Sequence, residues 1–417
     1  MRILWIKTEF LHPVDKGGRI RTYQMLREIA RSHHVTYLTL DDGTAAPDAA
    51  ALASEYAAET IRIPFTPPAK GTPGFFADLL ANVFSPLPYA VSRYKSDAMS
   101  REIARLAGKV DIVVCDFLAP AVNVPAGLGT PTLLFQHNVE AVIWERHAAV
   151  ASGIKRRYMG EQWRRMERFE RQECLRFDHV IAVSPQDTAV MRERYGVSRV
   201  SDVPTGVDIE YFTASGAAER RPHELVFTGS MDWMPNDDAM IWFATDVLPL
   251  IRAKIPDVHT TVVGRTPSAR LQALATSSAG GIEVTGRVPD VRPFLERSSA
   301  FIVPMRVGGG TRLKIYEAMS MGLPVISTTI GAEGLPVTDN ETAVLRDDPR
   351  SFADAVIRLL ETENERRRIA EAGQRLVRAR FGWSGVADAF METCASVVEG
   401  RSRSREEREL TSSVQGA

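Results

Sequence analysis

The sequence predicts an α/β protein with two doubly wound parallel-sheet domains in tandem. Short apolar runs alternate with amphipathic helical segments in both halves of the chain, which is the pattern of strand–helix–strand units. These runs are apolar almost throughout, as is typical of parallel strands that are covered on both faces. At 417 residues, the chain is also long enough for two domains of ordinary size.

Eleven segments are predicted to be strands. Those of the first half are RILWI, HVTYLTL, ETIRIPF, DIVVCDF, PTLLFQ and HVIAVS, and those of the second half are ELVFTG, HTTVVG, GIEVTG, AFIVPM and PVISTT. Within VSDVPTGVDIEYF, Pro204 and Gly206 interrupt both the strand and the helix pattern of apolar residues. We therefore assign residues 1–203 to one domain and 204–380 to the next. Residues 350–399 are predicted to be almost entirely helical.

The last residues, 400–417, are rich in Arg, Ser and Glu and have no apolar period, so the sequence predicts a disordered tail there. Ligands of open parallel sheets bind at the carboxyl ends of the strands. Two such domains therefore predict a central cleft that both sets of strand ends face.

Composition excludes several classes of function. Lysine and arginine (51) balance aspartate and glutamate (52), and this near-neutral charge argues against a nucleic-acid partner. The three cysteines form no CxxC pair, and no HExxH or Asp-x-Asp motif is present, so we expect neither a disulfide framework nor a metal. The opening apolar run is too short for a signal peptide, and no segment approaches the roughly 18 apolar residues of a membrane span. We expect a cytoplasmic protein.

The most informative segment is VGGGTRLKIYEAMSM, which follows the predicted strand AFIVPM. Gly309 and Gly310 would let a ligand approach the backbone, and the helix that follows offers free N–H groups at its N-terminus. Arg312 and Lys314 lie in the first turn, where cations oppose the helix dipole. A conflict with a local rule of this kind suggests function, because a bound anion would relieve it.

Glu317 follows Thr311 by six residues, or about 9 Å along a helix. This spacing fits a nucleoside diphosphate whose phosphates meet the glycine loop, Arg312 and Lys314, and whose ribose meets the Glu317 carboxylate. The alternative is an ordinary helix start with a surface ion pair between Lys314 and Glu317 at i,i+3.

Two features of the first half are weaker candidates. Gly17 and Gly18 precede the helix RIRTYQMLREIA, although a glycine pair at a turn can be purely structural. His137 follows the strand PTLLFQ at its carboxyl end, although a lone histidine there can equally be a core or capping residue. Neither glycine segment reads GxGxxG, so a nicotinamide or flavin site loses support.

Taken in order, these segments resemble a retaining glycosyltransferase of family four, which has the GT-B fold of two Rossmann-like domains. The segments that carry the resemblance are GGRIRTYQMLREIARSHHVTYLTL, QHNVEA, VPTGVDIEYF, VTGRVPDVRPFLERSSAFIVPMRVGGGTRLKIYEAMSMGLPVISTTIGAEGL and RFGWSGVADAF. It implies bacterial sugar transfer in exopolysaccharide or glycoconjugate synthesis. It also implies a nucleotide-sugar donor, with UDP favoured, a glycan or lipid-linked acceptor, no further cofactor, and a terminal helix at about 381–399 that returns to the first domain.

The resemblance assigns roles to individual residues. Glu317 would hold the ribose, Gly18 would lie near the diphosphate, and His137 would lie beside the transferred sugar. The backbone of Arg287 and Val288 would hold the base. The implied mechanism retains the anomeric configuration, with the donor phosphate taking the acceptor proton while the protein stabilises charge.

Two departures from the family pattern affect this picture. Gly309 stands where the family usually has a sugar-binding glutamate, and the segment FTGSMDWMPNDDAMIWF lacks the arginine and lysine that usually hold the phosphates. We infer that Arg312 and Lys314 supply this clamp. The full set of predicted nucleotide-sugar-binding residues is Gly17, Gly18, Gly229, Arg287, Val288, Gly309, Gly310, Thr311, Leu313 and Glu317, with His137, Arg312 and Lys314 predicted to be catalytic.

Two other classes of protein stay open. A nucleotide-sugar epimerase on the same fold would need an acid/base pair at the sugar, and the matching loops carry no paired carboxylates. A non-catalytic nucleotide-sugar-binding protein would be consistent with the loss of the glutamate at Gly309.

The basic segment 155–177 also has two interpretations. It has Trp163, Met166 and Phe169 at helical spacing, so it could lie on an anionic inner membrane as a peripheral contact. Alternatively, it is a solvated helix with a core stripe and with Glu161–Arg165 and Glu167–Arg171 pairs at i,i+4, which we favour.

Overall fold

A computed structural model describes residues 1–14, 17–69, 71–277, 281–307 and 312–415, without the side chains of residues 150, 154 and 404–415. The chain divides into two compact units. The first unit comprises Met1–Pro204 and Ser384–Ala417, and the second comprises Thr205–Trp383. The boundary predicted after residue 203 lies next to the observed one.

The first unit contains a seven-stranded parallel sheet in the order β3-β2-β1-β4-β5-β6-β7. Its strands are β1 (Arg2–Lys7), β2 (His34–Asp41), β3 (Glu59–Pro64), β4 (Ile112–Asp116), β5 (Thr132–Phe135), β6 (His179–Ala182) and β7 (Val200–Asp202). Its helices are α1 (Gly17–Ala30), α2 (Ala49–Leu52), α3 (Pro73–Asn82), α4 (Tyr89–Ser92), α5 (Asp97–Ala107), α6 (Glu140–Val150), α7 (Gly153–Arg176) and α8 (Pro185–Tyr195), together with the terminal helix α16 (Trp383–Gln415).

The second unit contains a six-stranded parallel sheet in the order β10-β9-β8-β11-β12-β13. Its strands are β8 (Glu224–Thr228), β9 (His259–Val263), β10 (Ile282–Gly286), β11 (Ala300–Val303), β12 (Val325–Ser327) and β13 (Val344–Leu345). Its helices are α9 (Met234–Trp242), α10 (Leu248–Arg252), α11 (Ala269–Ser277), α12 (Arg292–Arg297), α13 (Leu313–Ser320), α14 (Pro349–Glu361) and α15 (Glu363–Arg380).

The predicted fold class of two Rossmann-like parallel-sheet domains is confirmed, and all eleven predicted strands are present. The strand order reverses between β1 and β4 in the first sheet and between β8 and β11 in the second. At such a switch point the connections leave in opposite directions, which opens space at the carboxyl ends of the two strands.

The terminal helix α16 packs on the first sheet, in line with the expected return of the chain. Phe390 lies with its ring centroid 5.4 Å from that of Trp5 in β1 and 5.2 Å from that of Phe135 in β5. All three side chains are fully buried. This helix is therefore part of the core of the first unit.

The tail prediction needs correction, because α16 continues to Gln415. Glu and Arg are good helix formers, so a run of them can extend an existing helix without an apolar period. Glu399 and Arg403 form an ion pair at i,i+4 with a separation of 3.5 Å. Arg401 pairs with Asp178 and donates to the carbonyl of Leu128, which ties the helix to the first sheet.

The structure of helix α7 bears on the two interpretations of segment 155–177, a membrane-surface helix or a solvated helix with a core stripe. Met166 and Phe169 are buried, and Trp163 packs against the same core, so its apolar stripe belongs to the protein interior. The predicted Glu161–Arg165 pair is present at 2.9 Å.

The predicted Glu167–Arg171 pair is replaced. Glu167 instead pairs with Arg194 of α8, which also reaches Glu145 of α6. Arg194 therefore links three helices, and the spacing of residues within one helix cannot predict such a link. Within the described part of the chain, no helix combines the length and apolar character needed to cross a bilayer.

Gly206 gives a direct test of packing in the second unit. A Cβ atom at this position would lie 2.6 Å from two ring atoms of the buried Trp383, so Gly206→Ala should lower the free energy of unfolding by roughly 1–3 kcal/mol. Gly385→Ala is the matched control, because a Cβ there meets nothing within 4 Å. Urea unfolding of both variants measures the difference, and equal stability would contradict this account of Gly206.

Candidate active site

A buried ion pair joins the carboxyl ends of β1 and β4 at the switch point of the first sheet. The Lys7 ammonium lies 2.8 Å from Asp116 Oδ2, with side chains 2% and 0% exposed. Thr22 of α1 donates to the same carboxylate oxygen at 2.6 Å and accepts from Lys7 at 3.0 Å. The Trp5 indole N–H also donates to Asp116, at 3.1 Å. These hydrogen bonds offset the desolvation of two buried charges.

His137 is the fifth member of this cluster, which we call the Asp116 cluster (Trp5, Lys7, Thr22, Asp116, His137). Its Nε2 lies 2.7 Å from Asp116 Oδ1. Burial would by itself raise the pKa of Asp116, but Lys7 and His137 outweigh it and hold that pKa below its usual range. The carboxylate is therefore ionised.

The His137 ring is neutral at physiological pH. Burial lowers its pKa to about 3, and Arg21 and Lys7 act in the same direction against the opposing effect of Asp116. Since Nε2 faces a carboxylate, that nitrogen carries the hydrogen and Nδ1 is left as an acceptor. Nδ1 is buried and has no hydrogen-bond partner among the described residues.

Phe117 fixes the plane of the imidazole. Its ring stacks on His137 with centroids 3.8 Å apart, and it adopts a φ of 74° in the left-handed region. A non-glycine residue held there stores strain of the order of 1–3 kcal/mol, which is common at functional sites. A Cβ at Gly18 would lie 2.8 Å from the Phe117 ring, whereas one at Gly17 would meet nothing. Gly18 is thus required by the ring beside it, whatever else it contacts.

The loop that carries His137 is held by Glu170 of α7. The Glu170 carboxylate accepts from the backbone N–H groups of Glu140 and Ala141 at 2.8 and 2.9 Å, and from the Tyr195 hydroxyl at 2.8 Å. It therefore caps the N-terminus of α6. Burial raises the pKa of Glu170 to about 7 despite these hydrogen bonds.

In the second unit, Lys314 lies at the corresponding switch point. Its ammonium donates to Asn236 Oδ1 of α9 at 2.8 Å and lies 4.0 Å from the ring centroid of Phe227 in β8. A Cβ at Gly229 would come within 2.6 Å of this ammonium and 2.7 Å of Asn236 Nδ2. Glycine at the end of β8 therefore makes room for the lysine.

Glu317 lies about one turn further along α13, and its charge is coupled to that of Lys314. Burial, with a smaller effect of Arg312, lowers the pKa of Lys314 to about 7 against the opposing effect of Glu317. Burial also raises the pKa of Glu317 to about 7 against the effect of Lys314. The hydrogen bond of the ammonium goes to Asn236 and not to Glu317, so the surface ion pair considered from the spacing does not describe this pair.

Arg312 stands at the N-cap position of α13 and is only 4% exposed. Its guanidinium lies 5.5 Å from the ring centroid of Trp233, a cation–π distance. Trp233 and Met234 are themselves 41% and 65% exposed. The predicted cations Arg312 and Lys314 thus both lie beside the segment that follows β8.

The other predicted residues of the second unit are more dispersed. Val288 and Leu313 pack, half-buried, against the core of the second unit. Arg287 is exposed. Gly309, Gly310 and Thr311 lie outside the described residues.

Several residues in contact with the predicted site residues escaped sequence reasoning, namely Trp5, Lys7, Thr22, Asp116 and Asn236, and Arg265 is a further cation near the end of β8. Arg265 follows β9 and donates to the Ser230 hydroxyl at 2.6 Å. A usable signal existed, since Lys7 and Asp116 are charged residues that end apolar strands on either side of a switch point. Among the described residues, no group of three or more His, Cys, Asp or Glu side chains could hold a metal ion.

The chain matches two family models. Residues 16–211 match Glycosyltransferase Family 4, and residues 222–362 match Glycosyl transferases group 1. Together with the fold, these matches support a glycosyltransferase of this type. They coincide with the two units: one model includes His137 and the other includes Lys314 and Glu317.

Individual relatives agree with this assignment. The phosphatidyl-myo-inositol mannosyltransferase of Mycobacterium leprae is 27% identical over 230 residues, which is 54% of this chain but only 60% of that relative. An uncharacterized protein of the cps region of Klebsiella pneumoniae is 22% identical over 85% of this chain and 90% of its own. The solved structure of Anabaena HepE in complex with UDP superposes with a TM-score of 0.67 at 14% identity, covering 95% of this chain and 100% of that one. This last likeness concerns the fold, which is of the GT-B type.

The neutral His137 predicts a specific acid sensitivity. Unfolding releases it to an ordinary pKa of 6.5, whereas the folded value is about 3, so its contribution to stability is complete above pH 6.5 and is lost as the pH falls towards 3. At pH 5 the loss should be about 2 kcal/mol. His137→Gln should therefore lose stability less steeply between pH 6.5 and 4 than the wild type, as measured by urea unfolding. His34→Gln, at an exposed position, is the control, and parallel pH profiles for wild type and His137→Gln would refute the assignment.

Proposed function

We propose that this glycosyltransferase moves a sugar from a nucleoside-diphosphate sugar to a glycan, lipid-linked glycan or small-molecule acceptor, with retention of the anomeric configuration. The observation that carries the proposal is the Lys314 ammonium beside Asn236 near the start of α13, with Glu317 about one turn away. A cation, a helix N-terminus and a carboxylate in this order match the phosphates and ribose of a nucleoside diphosphate.

The proposed phosphate clamp consists of Lys314 and Arg312. Burial leaves the Lys314 charge poorly solvated, so an approaching diphosphate gains an unusually favourable partner. The leaving diphosphate gains negative charge in the transition state, and preorganised cations stabilise that charge without reorganisation. We propose that these cations act without a metal ion.

The proposed ribose site is the Glu317 carboxylate. Burial raises its pKa, which favours the protonated form in the empty site. Two ribose hydroxyls would donate to the ionised form and stabilise it. UDP is the preferred nucleotide, because HepE, a protein of the same fold, was solved with UDP.

His137 is proposed to accept a hydrogen bond from a hydroxyl of the transferred sugar through Nδ1. A ring nitrogen that is buried and lacks a partner among the described residues gains by meeting such a donor. The imidazole is neutral, so it orients the sugar and does not deliver a proton. In the retaining mechanism that we propose, the donor phosphate takes the proton of the acceptor hydroxyl.

The proposed setting is the synthesis of bacterial polysaccharide or glycolipid on the cytoplasmic side of the inner membrane. The names of the relatives support it, since one acts on phosphatidyl-myo-inositol and another is encoded in a cps region.

A panel of nucleotide sugars, incubated with the protein in excess EDTA, tests the proposal. Slow release of free nucleotide and free sugar is expected, because transferases leak their donor to water. Formation of an isomeric nucleotide sugar would instead identify an epimerase. Thermal stabilisation without turnover would identify a non-catalytic binding protein, and activity only after Mn²⁺ or Mg²⁺ is restored would refute the metal-free clamp.

Lys314 should take up a proton when the nucleotide binds. Its pKa of about 7 leaves it mostly neutral at pH 8, and a bound diphosphate should raise that pKa. Calorimetry at pH 8 in buffers of different ionisation enthalpy should detect an uptake that approaches one proton per UDP bound. Lys314→Met should abolish the uptake and weaken binding, whereas Glu317→Gln should keep it. Equal uptake in wild type and Lys314→Met would place the phosphates elsewhere.

Glu317→Ala should weaken UDP binding by about 1.5–3 kcal/mol through loss of charge-assisted hydrogen bonds to the ribose. A nucleotide that lacks a ribose hydroxyl supplies the second half of a double-mutant cycle. The wild type should bind UDP better than 2′-deoxy-UDP, and the variant should bind the two almost equally. Undiminished discrimination in the variant would show that Glu317 does not contact the ribose.

A further inference from the structure

Helix α3 exposes an apolar face. Phe76, Leu80, Val83 and Phe84 are 58%, 68%, 51% and 87% exposed, and they include the most exposed of the large apolar side chains that the structure describes. Their spacing of i, i+4, i+7 and i+8 puts them on one side of the helix and its last turn. An exposed apolar surface of this kind generally marks a binding surface.

The helix is firmly attached through its other side. The Thr72 hydroxyl caps its N-terminus by accepting from the Phe75 N–H, and the Phe75 ring packs edge-on against Tyr89 with centroids 5.8 Å apart. The Asn82 amide donates to the Leu87 carbonyl and the Ser92 hydroxyl. The exposed face therefore belongs to a fixed helix.

Helix α7 holds the carboxyl end of α3. Arg165 donates to the carbonyls of Asn82 and Val83 at 2.6 and 2.9 Å, and the Gln162 amide donates to Asn82 Oδ1 at 3.1 Å. Arg165 is 9% exposed, so this junction is buried. The apolar face of α3 thus adjoins α7 at a fixed position.

The exposed charges among the described side chains of α7 are predominantly positive, although the Glu161 side chain is 46% exposed and pairs with Arg164 as well as Arg165. Its two outward acids, Glu161 and Glu167, are paired with Arg165 and Arg194. The exposed basic residues are Lys155, Arg156, Arg157, Arg164, Arg168 and Arg171. Asp78, the acid of α3, lies about 200° around the helix from Phe76 and so away from the apolar face.

We propose that α3 and α7 form a docking surface for an anionic membrane, in which the apolar face of α3 enters the interfacial layer while the arginines and lysine of α7 meet lipid phosphates. An anionic membrane binds this combination favourably, because the apolar helix face is buried at the interface while the adjoining cations are attracted to the lipid phosphates. The apolar contribution comes from α3 and not from the stripe of α7, which is in the core. This surface would bring the protein to a lipid-linked acceptor, but it does not depend on the proposed reaction.

Flotation with vesicles tests the proposal on the full-length protein. The wild type should bind vesicles of equal parts phosphatidylcholine and phosphatidylglycerol, and it should bind pure phosphatidylcholine vesicles much less. Phe76→Gln/Leu80→Gln/Phe84→Gln should lower the partition coefficient by about tenfold or more. Leu250→Gln/Ile330→Gln removes exposed apolar side chains from the second unit and should leave vesicle binding unchanged.

The charge contribution is tested separately. Arg156→Gln/Arg157→Gln should reduce binding by roughly fivefold for each charge and should weaken its dependence on salt. Melting temperatures and the hydrolysis of a soluble donor should stay at wild-type values, because these residues are exposed and remote in sequence from the site residues. If the wild type does not hydrolyse any donor, the proposed function is refuted, but the proposal of a membrane-docking surface is unaffected.

Three outcomes would overturn the docking surface. The first is wild-type vesicle binding by the α3 variant, and the second is failure of the wild type to bind anionic vesicles at all. The third is that the wild type forms a dimer in sedimentation equilibrium and does not bind vesicles, whereas the α3 variant is a monomer. That result would assign the apolar face to a second copy of the chain.

Discussion

The first unit depends on one carboxylate. Asp116 holds β1 to β4 through Lys7, holds α1 through Thr22, and fixes the tautomer of His137. Its removal would leave the Lys7 ammonium buried without a counter-charge, a change that typically costs 3–5 kcal/mol. The same group therefore supports the sheet and sets which nitrogen of His137 can accept a hydrogen bond.

Each unit has a lysine near its switch point, Lys7 at the end of β1 and Lys314 on α13, and the two lysines have different surroundings. Lys7 faces the ionised Asp116, so its charge is neutralised inside the protein. Among the described residues, the hydrogen-bond partner of Lys314 is the neutral Asn236 amide, and the pKa of Lys314 is lowered as a result of burial. A lysine whose charge is not balanced locally is suited to an external anion, whereas Lys7 is suited to holding the architecture. The contrast is in keeping with the phosphate-binding role proposed for Lys314 and with a structural role for Lys7.

The sequence predicted what local patterns encode. Apolar runs identified the long strands, but β7 and β13, with three and two residues, carry too little pattern to be seen. Arg312 and Lys314 stood out because cations at a helix start break a local rule. Lys7 and Asp116 each end an apolar strand, which is a weaker signal, and the 109 positions between them mean that the folded sheet was needed to show that they pair. Likewise, Glu167 has Arg171 in helical register, yet tertiary packing gives it Arg194 instead.

The packing of Phe390 on Trp5 and Phe135 has a consequence for synthesis on the ribosome. Helix α16 completes a core to which β1 and β5 also belong, and the whole second unit is translated between those strands and α16. The second unit is contiguous and can fold as soon as it emerges. The first unit keeps an apolar sheet face open until α16 is synthesised, and a nascent chain with such an exposed face is a natural client for chaperones.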